Sequence, residues 1–498
     1  MMDDYIIEYI SHEMGENQAT LVCKTSEGNE SIVRVDFWSP EIVRVRVFPY
    51  RRVVEEGSLM LEGEGPSDVT RPSVRDNRRY LLLKTESLSI RINKSPWKIS
   101  FLDSDGSLIL EENVEDLNVA GEFQVLPIGF SSEGGEVKRT WETFALSPTE
   151  RVYGFGEKFT WFDKRGQRMT LWNVDAYSNT TERSYKNVPF FMSTRGYGIF
   201  VHTTRRVLVD VGCTSTSSCC LSVEGPYLDY FLIYGPSLKE ILRRYTGLTG
   251  RSPVPPRWSF GIWMSSSFIE NPFRTQGELI EFCRRMRAEG LPCDVIHVDP
   301  LWMRDGRWCD FVWDRDRFPD PEGMIREMGG MGFRLCLWEH PYVMVGSELM
   351  RTADGRGYLV KRPGGEAYTV QPWGEDLPPV GMVDFTNPEA YGWWKGLHKP
   401  LIEMGVATFK TDFGEAVPED AVFHNGKTGA EMHNPYPLLY NRCVFEALRE
   451  SGKDRPVVWA RSAWAGSQRY PVHWSGDVEC TFSGLAGALR GGDLSIAP

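Results

Sequence analysis

The sequence predicts a multidomain chain. A β-sandwich is expected over residues 1–246, and a (β/α)8 barrel of the TIM type over 258–498. Three observations carry this expectation. The first half is a run of short, alternating apolar segments with turn residues between them and little helical periodicity. The second half alternates strand-like with helix-like segments. Between them, Gly247-Leu-Thr-Gly-Arg-Ser-Pro-Val-Pro-Pro-Arg257 carries Gly and Pro at a density that resists regular structure.

The elements of the first half are Ile32–Phe37, Ile42–Phe48, Leu81–Thr85, Leu88–Ile92, Ile99–Leu102 and Leu108–Leu110, continued by Gly198–Val201, Val207–Val211 and Asp229–Ile233. Each is short and rich in β-branched or alternating residues. Turn signals such as Asp103-Ser-Asp-Gly106 separate them. Many short strands at this spacing argue for a sandwich. A helix over Ser237–Tyr245 follows.

In the second half the first strand is Phe260–Met264. A helix over Gln276–Glu289 follows, with Leu279, Ile280, Cys283 and Met286 on one face. Strand Asp294–Val298, a helix near Glu322–Met328 and strand Arg334–Trp338 come next. A long insertion ends at Val383-Asp-Phe-Thr-Asn-Pro388. Helix Glu389–Met404 feeds strand Ala407–Thr411, helix Pro437–Ser451 feeds strand Val457–Ala460, and the sixth strand is Val472–Trp474. Repeated units of this kind build a parallel sheet. No Gly-x-Gly-x-x-Gly follows the first strand, which favours a barrel over a dinucleotide fold. Leu485–Pro498 reads as a helix and the opening of a seventh strand, so the barrel is expected to be truncated after about six strands.

Composition narrows the function. The 498 residues are 41% apolar and 25% charged, the proportions of a globular chain with a sizeable core. No apolar run reaches the roughly 18 residues that span a bilayer, so no membrane partner is expected. The acidic start MMDDYIIEYISHEMGENQ has no basic segment leading into an apolar one, and a cytoplasmic location is expected. A net charge of −12 disfavours nucleic acid, whose phosphates need a Lys/Arg surplus. A neutral small substrate fits better. The 10 cysteines form no C-x-x-C pair, so reduced, mostly buried thiols and no metal are expected. Of 17 tryptophans, 12 lie after residue 257. Indoles fill cores and also stack on sugar rings, which favours the second half for a binding site.

Active-site residues of parallel barrels lie at the strand C-termini. Here the strands end in His297-Val-Asp299, Trp338-Glu-His340, Lys410-Thr-Asp412-Phe-Gly-Glu415, Arg461-Ser-Ala463 and His473-Trp-Ser-Gly-Asp477. Residues two apart share a face, so His297 points with Asp299 and Lys410 with Asp412. Such a face is either an ion-pair network or a site. Carboxylates from separate strands suit glycoside hydrolysis, in which one attacks the anomeric carbon and another protonates the leaving oxygen. Lys410 and Arg461 favour an ionised Asp412, the nucleophile candidate. Asp477 follows a glycine with no cation within two residues, so it can hold a proton and act as the acid. No G-x-S-x-G or H-E-x-x-H motif competes with this reading. His424 and His433 read as solvated loop residues, with contact to an outer sugar as the alternative.

These segments resemble glycoside hydrolase family 31, the retaining α-glycosidases. Lys410-Thr-Asp-Phe-Gly-Glu415 is similar to the family's nucleophile segment. Arg461-Ser-Ala463 and Pro471-Val-His-Trp-Ser-Gly-Asp477 are similar to its arginine and acid/base segments. Tyr153-Gly-Phe-Gly-Glu-Lys-Phe159 and Tyr185-Lys-Asn-Val-Pro-Phe-Phe191 resemble motifs of its N-terminal sandwich. The likeness runs from about residue 30 to the C-terminus. It implies Asp412 as nucleophile and Asp477 as general acid/base. It also implies a −1 subsite lined by Asp299, Lys410, Arg461 and Trp338, with Phe268, Trp302 and Trp474 nearby. No cofactor is implied, and the substrate would be an α-linked oligosaccharide or α-xyloside. Two carboxyl groups about 5–5.5 Å apart would give net retention.

Within the family, Val298-Asp-Pro-Leu-Trp-Met303, Trp308-Cys-Asp-Phe-Val-Trp313, Phe318-Pro-Asp-Pro-Glu-Gly-Met324 and Val383-Asp-Phe-Thr-Asn-Pro388 look most like the α-xylosidase branch. Pro300 and Leu301 stand where that branch often has Cys-Phe. The implied activity is hydrolysis of terminal α-xylosidic linkages through a covalent glycosyl-Asp intermediate. The alternatives are an α-glucosidase or other α-glycosidase of the family, or a catalytically inactive, truncated carbohydrate-binding remnant. Members continue through two more strands and C-terminal β-domains. They often assemble as homo-oligomers, but the resemblance fixes no stoichiometry.

Overall fold

The computed structural model describes residues 2–63, 65, 70–113, 125–265, 274–304, 306–372 and 377–493. They group into two compact units. The first runs to Trp172, resumes over Ser178–Gly250 and takes in the described residues from Val478 on. The second is Asn173–Tyr177 with Arg251–Asp477. The expected division at 1–246 and 258–498 therefore differs by two exchanged segments, each held by specific bonds. Asn179 Nδ2 donates to Gly484 O at 2.5 Å and Ser178 Oγ to Glu479 Oε1 at 3.1 Å, which ties the end of the chain to the first unit. Asn173 bonds Asn434 and Ala463, which draws its segment into the second.

In the first unit, alternating burial builds antiparallel strands. Thirteen of them form one continuous ladder. Strand Met2–Met14 serves both halves of it, pairing through Met2–Tyr5 with Gly129–Glu133 and through Ile6–Met14 with Gln18–Thr25. The two halves face each other, with Phe144 packed edge-on against Tyr230 at 5.6 Å. That is the expected sandwich. Five more antiparallel strands between Ser73 and Glu111 form a separate sheet. Strands absent from the sequence reading include Asn187–Ser193, whose residues are all buried, so it shows no alternation. The helix Leu238–Thr249 is capped by Ser237, whose side chain accepts from the Glu240 amide, and it runs beyond the expected Tyr245.

The second unit is built on five parallel strands in sequence order. They are β1 (Trp263–Ser265), β2 (Val295–Val298), β3 (Arg334–Glu339), β4 (Thr408–Thr411) and β5 (Trp459–Ala460). The sixth expected strand extends the sheet as a short parallel bridge between Ala460 and His473, with Ala460 N donating to Val472 O at 2.9 Å. Of the stretch Leu485–Pro498, expected to be a helix and then the opening of a seventh strand, the residues from 494 on lie outside the described residues. β2 is buried throughout and β3 everywhere but Arg334, as strands covered on both faces must be.

Helices α1 (Gln276–Ala288), α2 (Pro321–Gly330), α3 (Pro388–Met404) and α4 (Tyr436–Glu450) alternate with these strands. Thr275 and Glu278 form a capping box for α1, and Asp320 and Asn387 cap α2 and α3 just before a proline. The insertion between β3 and α3 holds the helix Glu348–Gly355 and a small antiparallel sheet of Tyr342–Met344, Thr369–Val370 and Val380–Met382. Among the described residues no helix is long and apolar enough to cross a membrane.

Candidate active site

The ladder between β3 and β4 continues one bond past β4, with Asp412 N donating to Glu339 O at 3.0 Å. There the chain turns sharply. Phe413 adopts φ 58° and Gly414 φ 110°. A left-handed phenylalanine costs on the order of 1–3 kcal/mol and persists only where the surroundings enforce it. Here the turn lets Phe413 N donate to Asp412 Oδ1 at 3.0 Å and lays the Phe413 ring against the Arg461 guanidinium, 3.9 Å from the ring centre.

Asp412 is buried and held from three sides. Trp338 Nε1 donates to its Oδ2 at 2.7 Å. Arg461 Nε lies 3.4 Å from Oδ1, and Lys410 Nζ 3.9 Å from Oδ2. Burial by itself pulls this carboxyl up. The two cations, with the Trp338 and Phe413 hydrogen bonds, outweigh it and hold the group below its ordinary value.

Arg461, at the end of β5, is only 3% exposed and meets four carboxylates. Besides Asp412, these are Asp175 at 3.2 Å, Asp477 at 3.7 Å and Glu415, which also accepts from Ser462 Oγ. The Asp477 side chain is 49% exposed. Its carboxyl is raised, first by burial of its inner side and then by the Asp412 charge, against the pull of Arg461 and Lys410. Lys410 Nζ reaches Asp299 Oδ1 at 3.4 Å and sits 4.9 Å from the centre of the Trp474 ring. Burial pushes Asp299 up to about 6 despite Lys410. His297, behind it, is driven well down by burial and by Lys410, and so is neutral. Its Nδ1 lies 2.6 Å from Ser265 Oγ.

The strand ends thus bring together Asp412, Asp477, Asp299, Lys410, Arg461, Trp338 and Trp474. Trp302 stands behind them. It is fully buried, donates from Nε1 to Trp338 O at 2.9 Å and presents no face to solvent. Phe268 lies outside the described residues.

Three partners escaped the sequence reading. Glu415 and Phe413 belong to the segment it quoted, and their distance from Asp412 was the available signal. Asp175 sits in an irregular segment with no periodicity and gave none. His433, read as a solvated loop residue, is buried. Its Nδ1 lies 2.7 Å from Val417 O and its Nε2 2.7 Å from Asn173 O. His424 is exposed. The described residues contain no cluster of His, Cys, Asp and Glu able to hold a metal ion.

Comparison with known families matches residues 252–495 to the family 31 glycosyl hydrolase TIM-barrel domain. Residues 32–210 match the glycosyl hydrolase 31 N-terminal galactose mutarotase-like domain. An alpha-xylosidase of Emericella nidulans is 38% identical over 419 residues, covering 81% of this chain and 53% of its own length. The alpha-xylosidase XylQ of Lactiplantibacillus pentosus is 35% identical, covering 83% and 56%. This chain thus spans about half the length of the curated relatives it matches. A solved family 31 dextranase of Flavobacterium johnsoniae superposes with a TM-score of 0.88 at 26% identity, covering 99% of this chain and 60% of that one. Both domain matches fall in one family, in the order of sandwich and barrel, and the chain belongs to glycosyl hydrolase family 31, beside its alpha-xylosidases.

Proposed function

We propose that this chain carries the catalytic machinery of a retaining α-glycosidase that removes terminal α-xylosyl groups. One observation carries the reading above all. Asp412 and Asp477 share one guanidinium, yet their carboxyls are shifted in opposite directions. Double displacement needs one carboxylate ionised and one carboxyl protonated at the same pH.

In the first step Asp477 gives its proton to the glycosidic oxygen while an Asp412 oxygen attacks the anomeric carbon. The C–O bond breaks, the aglycone leaves as an alcohol, and a glycosyl ester forms on Asp412. In the second step the Asp477 carboxylate takes a proton from water. That water oxygen attacks the anomeric carbon and Asp412 is released. Two inversions give net retention. Lys410 and Arg461 hold Asp412 ionised as charge moves onto and off it. Asp299 and Lys410 are placed to bond sugar hydroxyls, and Trp338 and Trp474 to wall the ring. Trp302 braces Trp338, and Phe268 completes this set by family resemblance. A cytoplasmic location agrees with the low cysteine density.

The xylose reading rests on the motifs around Asp299 and on the two alpha-xylosidases among the relatives. Likeness to a dextranase favours a second reading, an α-glucoside. Excluding one hydroxymethyl group supplies only about 1–3 kcal/mol of discrimination.

Hydrolysis of aryl α-xyloside and aryl α-glucoside by the 498-residue chain tests both. Faster release from the xyloside is expected, lowered at least about 10³-fold in Asp412→Ala. Preference for the glucoside would overturn the xylose reading. Release from neither by the folded chain would overturn its activity and leave a binding remnant.

A further inference from the structure

Asn173 is a polar residue in an irregular segment, yet it is fully buried. Its N–H, its carbonyl and its side-chain amide nitrogen are all engaged. Its N–H donates to Asn434 Oδ1 at 3.0 Å, and its Nδ2 to Ala463 O at 3.0 Å and Asn434 O at 3.4 Å. Its carbonyl lies 2.7 Å from His433 Nε2. The other ring nitrogen of His433 lies 2.7 Å from Val417 O, on the segment that leaves Asp412 and Glu415. Both partners are carbonyl oxygens, which can only accept. One side chain thus ties the strand-end segment to Asn173. Two residues on, Asp175 Oδ2 stands 3.2 Å from Arg461.

We propose that His433, with Asn434, is a positioning residue that clamps Asn173 so that Asp175 occupies one face of Arg461. The proposal builds on the catalytic reading above. Arg461 also faces Asp412, Glu415 and Asp477. While Asp175 is held in place, it shares a guanidinium that would otherwise turn fully to those three. The charged groups acting on Asp477 include Arg461, Asp412, Lys410 and Asp175, and Asp299 also interacts with it. Withdrawing the Asp175 charge leaves the cations less opposed, so Asp477 gives up its proton at lower pH. Loss of the clamp and loss of the Asp175 charge should therefore act on the same group in the same direction.

Two measurements test this. In hydrogen exchange on the full chain, the Asn173 amide should be slow, and it should become fast in His433→Gln while the β4 amides stay slow. Asn434→Ala should do the same and stands in if His433→Gln does not fold. Slow exchange at Asn173 in either folded variant overturns the clamp, whether or not the chain hydrolyses anything.

The second measurement is the pH profile of kcat/KM. Asp175→Asn and His433→Gln should each move the basic limb to lower pH and lower kcat/KM by about 10–100-fold. The double variant should fall no further than the worse single one, because both act through one contact. A limb that stays in place in His433→Gln, or additive losses, would make His433 merely structural and overturn the proposal. Inactivity of the parent chain would instead count against the catalytic reading, with the exchange result still deciding the clamp.

Discussion

At the residue scale, the site is a problem of surplus negative charge. Asp175, Asp299, Asp412, Glu415 and Asp477 surround Lys410 and Arg461. Each cation therefore sets the titration of several acids at once. Lys410 lowers Asp412, Asp299 and Asp477 together. Lys410→Met should raise all three. Asp412 must be ionised to attack, so the acidic limb of kcat/KM against pH should move up. Asp477 must be protonated to act as an acid, so the basic limb should move up as well. The whole bell shifts alkaline, with kcat/KM down about 10²–10³-fold from lost charge stabilisation. Profiles on an aryl α-xyloside check this, and an acidic limb moving down would contradict it. The strand-end acids were legible because strand C-termini are where such barrels keep their chemistry. Asp175 was not, because it lies two residues from Asn173, whose partners Asn434 and Ala463 are far along the chain. His433 was misread because a histidine in an irregular segment carries no burial signal of its own.

At the element scale, the barrel helices could be read from their ends. Thr275 with Glu278, Asp320 before Pro321, and Asn387 before Pro388 are start signals with a mechanism behind them. The stop of α3 is equally physical. Gly405 adopts φ 117°, and a Cβ there would come within 2.9 Å of Ile325 Cγ2 on α2. Gly405→Ala should therefore combine backbone strain with a clash and cost about 1–3 kcal/mol. At roughly 2–4 °C per kcal/mol, the melting midpoint should fall by several degrees. Tryptophan fluorescence is a suitable probe, because 12 of the 17 tryptophans follow residue 257 and report on the second unit. An unchanged midpoint would mean that Ile325 gives way without cost. The first unit was harder to read. Its buried strand Asn187–Ser193 lacks the two-residue period that exposes a half-buried strand. The helix and small sheet inserted between β3 and α3 are too short for periodicity to mark.

At the scale of the whole molecule, the order of sandwich and barrel was legible from the change of pattern and from the linker. The exchange of Asn173–Tyr177 and of the residues from Val478 on was not, because bonds between residues far apart in the sequence hold these segments. The same holds for charges buried in the sandwich, which set how folding depends on pH. Asp229 is buried between Arg44 at 2.6 Å and His202 at 2.8 Å. Burial raises its carboxyl, but these partners outweigh burial and hold it well below its ordinary value. Its contribution is present above the unfolded value near 3.8 and is lost as pH falls.

Glu112 acts in the opposite sense. It is fully buried, accepting from Ile128 N at 2.7 Å and Ile99 N at 3.1 Å. Burial nonetheless pushes it from 4.5 up to about 7. Between those values the folded chain binds more protons than the unfolded one. Stability from this group therefore falls as pH rises, by at most about 1.4 kcal/mol per unit. Glu112→Gln should be less stable than the parent at pH 5 by about 1–3 kcal/mol, because one amide donor then faces an NH2 group. The variant lacks the titration, so the gap should close toward pH 7. Urea unfolding of both chains between pH 5 and 7 measures that gap, and a gap that stays constant would mean that Glu112 keeps one protonation state throughout the range.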